Sequence, residues 1–260
     1  MSISLHRPAT PWLRAYRAVP LPPASRLVCF PHAGAGASFF RSWAYRVPPE
    51  VELLSVQYPG REERLREPFC EDMCAAAAEI AAGLQPLGGV PVGLFGHSLG
   101  AAMAYEVARC LENAGTAPSL LVVSARAADY DPGDGMHLKS DAEIWAETCA
   151  SGGTSEELLG NDQFREFLLP VLRADYMLSE RYKPAKRLPL SCPILACEGD
   201  RDPGAERAQM SGWEAFTASR FELRVFPGDH FYLRDAAREL LREITRRLPA
   251  GAGTSMWPPP

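Results

Sequence analysis

Short, largely apolar runs recur at positions 27–30, 51–57, 92–95, 120–124, 194–197 and 221–226. Runs of this length predict strands, and the near-continuous ones predict strands buried on both faces. Stretches near 39–46, 70–84, 98–113, 206–219 and 235–247 lie between them and read as helices. The alternation predicts right-handed βαβ units and a mostly parallel sheet flanked by helices, an α/β fold. Between 124 and 192 no strand-like run occurs. There Ser140-Asp141-Ala142-Glu143 opens a helix with a capping-box pattern, and helical patterns follow at 155–159 and 162–178. Pro8, Pro11, Pro20, Pro22 and Pro23 mark residues 1–24 as an extended lead-in, with Trp12 and Tyr16 packing on the body. Residues 251–260 read as a disordered tail. No internal repeat is visible, and residues 1–260 suit a single domain with an insertion at about 126–190.

Candidate chemistry sits where the strands end. Gly96-His97-Ser98-Leu99-Gly100 joins the run at 92–95 to a helix, with glycine two residues before and two after the serine. This is the nucleophile-elbow pattern, which lifts a serine hydroxyl clear of a sheet and sets it at a helix N-terminus. An N-cap serine on an ordinary helix is the plainer alternative. Behind such an elbow the chain order is serine, then an acid, then histidine. Of the histidines after Ser98, His230 follows the strand-like 221–226, whereas His137 lies in a loop with no strand to aim it and reads as a solvated side chain. The run at 194–197 ends in Glu198-Gly199-Asp200-Arg201-Asp202. Asp202 is the better-placed acid, because the first aspartate of such a turn tends to cap the turn itself, and Glu198 is still on the strand. Backbone N–H groups to hold an oxyanion are expected from Leu99 and from the loop Pro31-His32-Ala33-Gly34-Ala35-Gly36 after the first strand. Ala33 is the first choice there and Gly34 the next. That loop carries neither of the common phosphate-cradle patterns. An insertion ahead of the acid-bearing strand must emerge at this edge of the sheet, so residues 126–190 are expected to form a helical lid, with Gly152, Gly153 and Gly160 allowing movement.

Five segments together resemble one family: Cys29-Phe30-Pro31-His32-Ala33-Gly34, Gln57-Tyr58-Pro59-Gly60-Arg61, Gly96-His97-Ser98-Leu99-Gly100, Gly199-Asp200-Arg201-Asp202-Pro203 and Gly228-Asp229-His230-Phe231. They are similar to the type II thioesterases, free-standing α/β-hydrolases that accompany polyketide and nonribosomal peptide synthases, and the similarity runs from about 27 to 248. The resemblance implies a Ser98, His230, Asp202 triad with Ala33 and Leu99 as oxyanion donors. It implies hydrolysis of misloaded or stalled acyl groups from phosphopantetheine on an acyl or peptidyl carrier protein. Two departures, the non-adjacent Gly34 and Gly36 and Leu99 where methionine is common, both keep the backbone N–H. A small-molecule carboxylesterase or lipase would use the same triad. An acyltransferase shares the elbow, but the downstream aspartate and histidine favour hydrolysis. The intact constellation speaks against a binding module without catalysis.

Composition narrows the setting. A net charge of −5 argues against non-specific nucleic-acid binding, and no run is long enough for a membrane helix. The first residues lack a signal peptide's apolar core. Seven cysteines, mostly in apolar segments, suit reduced, buried thiols in a cytoplasm. Cys70 and Cys74 have no His or Cys partner in reach, so no metal is expected. The resemblance implies no cofactor of the protein's own, since the substrate carries the phosphopantetheine. Nothing requires more than a monomer. Two basic clusters, Lys183/Lys186/Arg187 and Arg61/Arg64/Arg66, are candidates for docking an acidic carrier.

Overall fold

Five of the apolar runs become the interior of one seven-stranded sheet in the computed structural model, which describes residues 3–4, 10–130, 135–153, 156–184, 189–204 and 207–249. The strands are β1 (Leu13–Ala15), β2 (Ser25–Phe30), β3 (Val51–Val56), β4 (Val92–His97), β5 (Leu120–Ser124), β6 (Ile194–Gly199) and β7 (Phe221–Phe226). Their spatial order is β1-β3-β2-β4-β5-β6-β7, parallel throughout except for β1 on β3. Almost every residue of β2 to β6 is buried, as expected of strands covered on both faces. The run at 27–30 extends back to Ser25 because Arg26 sits opposite Glu52 in register and donates to its Oε2 at 2.6 Å, so the charge enters the sheet paired. Both edges are defended: β1 is three residues long, and β7 carries Glu222 and Arg224, tied to Arg247 and Glu243.

The helices are α1 (Met73–Leu84), α2 (Leu99–Asn113), α3 (Asp141–Ala150), α4 (Glu156–Leu159), α5 (Asp162–Arg181), α6 (Arg207–Ser211) and α7 (Ala237–Thr245). Three expectations need correction. The lead-in is not merely extended: Leu13–Ala15 pairs with β3 and adds an antiparallel edge strand, while Val19–Pro20 pairs with Ile3–Ser4. The helix expected at 39–46 is two 3₁₀ turns, Ala37–Phe40 and Trp43–Tyr45. Their tight winding turns Phe40 and Trp43 together onto Phe95. The stretch at 206–219 is likewise one short helix followed by a 3₁₀ turn at Gly212–Phe216. The cysteines divide: Cys29, Cys192 and Cys197 are buried, whereas Cys74 and Cys149 are exposed.

The insertion folds into α3, α4 and α5, without a strand among its described residues. Ser140 caps α3 in a full capping box with Glu143, and Asn161 caps α5 through the Phe164 N–H. Ile144, Leu168, Leu169, Val171 and Leu172 form an apolar cluster separate from the main core. Polar bonds fasten it to the body: Arg126 to Ser179 Oγ (2.8 Å), Tyr182 to Glu106 (2.7 Å) and Arg234 to the Gly152 carbonyl (2.9 Å). The tail at 251–260, together with Lys186 and Arg187, lies outside the described residues. Among the described residues no helix is long and apolar enough to cross a membrane, and no group of three or more metal-ligating side chains gathers.

Candidate active site

The order of the strands reverses between β2 and β4, and the crevice beyond their C-terminal ends is where an open α/β sheet receives a ligand. Ser98 turns out of β4 there with φ 55° and ψ −118°, a conformation costly for a residue with a side chain. The flanking glycines are dictated by close approach. A Cβ on Gly96 would stand 2.1 Å from the Gly100 carbonyl oxygen, and one on Gly100 would stand 2.1 Å from that of Phe30. The Ser98 side chain does not cap α2, which removes the plainer reading of this serine. It is half-buried, on the wall of a cavity of about 1180 Å³. His230, Ala33 and Leu99 line the same cavity, whose other wall is the lid, through Leu168, Leu172 and Tyr176.

Asp202 and His230 meet from the ends of β6 and β7. His230 Nδ1 lies 2.8 Å from Asp202 Oδ2, and Asp202 Oδ1 accepts from the Gly204 N–H at 2.9 Å. The carboxylate side chain is 2% exposed and the imidazole 26%, so the acid is shielded while the ring stays open to the cavity. Asp200 points elsewhere. Its Oδ1 accepts from the Gly228 N–H at 2.9 Å and staples the two loops together. Glu198 is on β6, as the sequence suggests.

Aromatic rings pack behind the imidazole. His97 lies 5.0 Å from His230, ring centre to ring centre, and Phe231 touches His32, His97 and His230. Burial pushes His32 from its ordinary 6.5 down to about 3 and holds His97 well below its ordinary value too. Both are therefore neutral beside His230. His97 Nδ1 shares a hydrogen bond with Ser124 Oγ at 2.9 Å, and Ser124 Oγ shares one with the Tyr232 hydroxyl at 2.7 Å. His137 is not the solvated side chain expected. Its ring nitrogen and backbone N–H bond Glu180 of α5, and its side chain is 17% exposed.

The loop at 31–38 is held by the second motif of the sequence. Gln57 Oε1 accepts from the Ala37 N–H (3.2 Å), the Tyr58 hydroxyl donates to the Pro31 carbonyl (3.4 Å), and Arg61 Nη1 donates to the Ala35 carbonyl (3.2 Å). Leu99 is the first residue of α2, so its N–H has no partner within the helix. The Gly34 N–H, the second choice at this loop, is already taken by Asp175 Oδ2 at 2.7 Å. Arg61 and Arg64 are buried, one paired with Asp175 and the other with Glu67, so neither is a surface for a partner; of that trio only Arg66 is exposed.

The family model described as a thioesterase domain matches residues 25–248. The chain is 40% identical over 240 residues to thioesterase PikA5 of Streptomyces venezuelae, covering 91% of this chain and 85% of that protein. BorB, a type II thioesterase from the borrelidin biosynthetic cluster, superposes with a TM-score of 0.84 at 37% identity, covering 90% of this chain and 96% of BorB. YbtT, the type II thioesterase of the yersiniabactin pathway, superposes with a TM-score of 0.82 at 30% identity, covering 92% of this chain and 98% of its own.

Proposed function

The chain belongs to the thioesterase family, and on that premise we propose that it releases acyl groups held as thioesters on carrier-protein phosphopantetheine, clearing misloaded or stalled units from a polyketide or nonribosomal peptide synthase. The observation that carries this reading is the Asp202–His230 bond of 2.8 Å facing the cavity on whose wall Ser98 is strained outward. Asp202 accepts the Nδ1–H and leaves Nε2 as the base. His230 takes the Ser98 proton as Oγ attacks the thioester carbonyl, and the Ala33 and Leu99 N–H groups hold the resulting oxyanion. The C–S bond breaks, and His230 returns the proton to the departing thiolate. Water, deprotonated by His230, then attacks the acyl-serine, freeing the acid and restoring Ser98. Side chains, backbone and water suffice for these steps, so the proposal includes no cofactor and no metal. The substrate brings its own phosphopantetheine.

Lys183, exposed at the end of the lid, is the described member of the basic cluster proposed to meet an acidic carrier; Lys186 and Arg187 lie outside the described residues. The deciding experiment presents one acyl group three ways: on a phosphopantetheinylated carrier, on a small thiol, and as an oxygen ester. A kcat/KM preference for the carrier-borne form, abolished in Ser98→Ala, is the expected result. A preference for the oxygen ester would make this a general esterase, and turnover surviving in Ser98→Ala would remove the serine mechanism.

A further inference from the structure

The mechanism above uses neither Asp175 nor Arg61, yet both are buried against the loop that carries Ala33. Asp175 stands on α5, in the lid. Its Oδ2 accepts from Arg61 Nη1 at 2.5 Å and its Oδ1 from Arg61 Nη2 at 2.7 Å, a two-point pair that fixes the plane of the carboxylate. The same Oδ2 accepts from the Gly34 N–H at 2.7 Å. Arg61 also reaches across to the Ala35 carbonyl at 3.2 Å. The two peptide groups that flank Ala33 are therefore each anchored. The one before it is held through the His32 carbonyl, which accepts from the Ala35 N–H at 3.1 Å, and the one after it through the Gly34 N–H on Asp175. The lid seats closely at this point: a Cβ on Gly34 would fall 2.7 Å from Leu172 Cδ2.

We infer that Asp175 is a positioning residue for hydrolysis: clamped by Arg61, its carboxylate holds the Gly34 N–H and so aims the neighbouring Ala33 N–H at the oxyanion. The role rests on the reading of Ala33 as a donor. It makes the lid part of the catalytic geometry as well as a cover, because one oxyanion donor takes its orientation from a lid helix.

A single substitution at Asp175 would strand Arg61 as a buried charge and confuse orientation with unfolding. Two double variants avoid this. Arg61→Gln with Asp175→Asn removes both charges and keeps an acceptor for the Gly34 N–H. Arg61→Gln with Asp175→Leu removes both charges and the acceptor while keeping a side chain branched at Cγ, its added bulk taken up where Gln is shorter than Arg. Kinetics on a small acyl thioester, normalised to folded fraction by circular dichroism, compare the pair directly. The expected result is a kcat about 10- to 100-fold lower in the leucine variant than in the asparagine variant, with KM within about threefold. Equal kcat values, or a difference confined to KM, would overturn the inference. Ser98→Ala, run in parallel, separates the two levels: its survival as an active enzyme would remove the serine mechanism itself, whereas its inactivity with equal double variants would remove only the role of Asp175.

Discussion

Asp200 and Asp202 share one turn and differ in what they touch. Asp202 faces the ring of His230, and Asp200 bonds the backbone of Gly228. Asp202→Asn should lower kcat by about 10²- to 10⁴-fold, by disturbing the tautomer and orientation of the imidazole. Asp200→Asn should cost less than about tenfold, because a neutral side chain can still accept from Gly228. Steady-state kinetics on one thioester checks both, and a reversed order would exchange their assignments. A second residue-scale consequence concerns pH. His32 and His97 are neutral in the fold, with pKa values pushed to about 3 and well below 6.5, respectively. The unfolded chain takes up protons near 6.5 at both sites, so their contribution to stability is full above that pH and falls as pH drops below it. The slope is about 1.4 kcal/mol per pH unit for each histidine. Urea midpoints should therefore decline between pH 6.5 and 5, above the range where ordinary carboxylates titrate, and identical midpoints at pH 7 and 5 would refute this account.

At the scale of elements, the strands and the placement of the three side chains proposed for catalysis were legible because each depends on a local signal. Buried parallel strands need unbroken apolar runs, and an elbow needs glycines where backbone meets backbone. The 3₁₀ turns at 37–45 were not legible, since aromatic residues three apart suit either helix type until Phe95 is known to lie beneath them. The edge strand β1 was hidden among prolines, its pairing with β3 being supplied by residues about forty positions away. Nor was the pairing of Arg61 with Asp175 legible: they lie 114 positions apart, and an arginine in a basic stretch looks like surface. In the lid, the capping box of α3 was readable and makes its own prediction. Ser140→Ala should lower stability by about 1 kcal/mol. The effect falls on an element that walls the cavity and bears no reacting group, so KM for a long acyl thioester should rise more than kcat falls. A kcat loss with KM unchanged would contradict that placement of α3.

Across the whole molecule, Ser98 and His230 share a cavity with a lid that stands on a different part of the chain, and the exposed Lys183 lies just beyond α5. Lys183→Glu should raise KM several-fold for carrier-borne substrate, with little change for a small thioester, and the difference should shrink in high salt. Equal effects on both substrates would count against docking there. The separate apolar cluster of the lid has a further consequence. Ile144, Leu168, Leu169, Val171 and Leu172 bury one another apart from the main core, so α3 and the first part of α5 are expected to open as a cooperative unit, more readily than the sheet. Amide hydrogens in that unit should exchange with deuterium together, through an opening far short of global unfolding, while those of β2, β4 and β5 wait for the entire molecule to come apart.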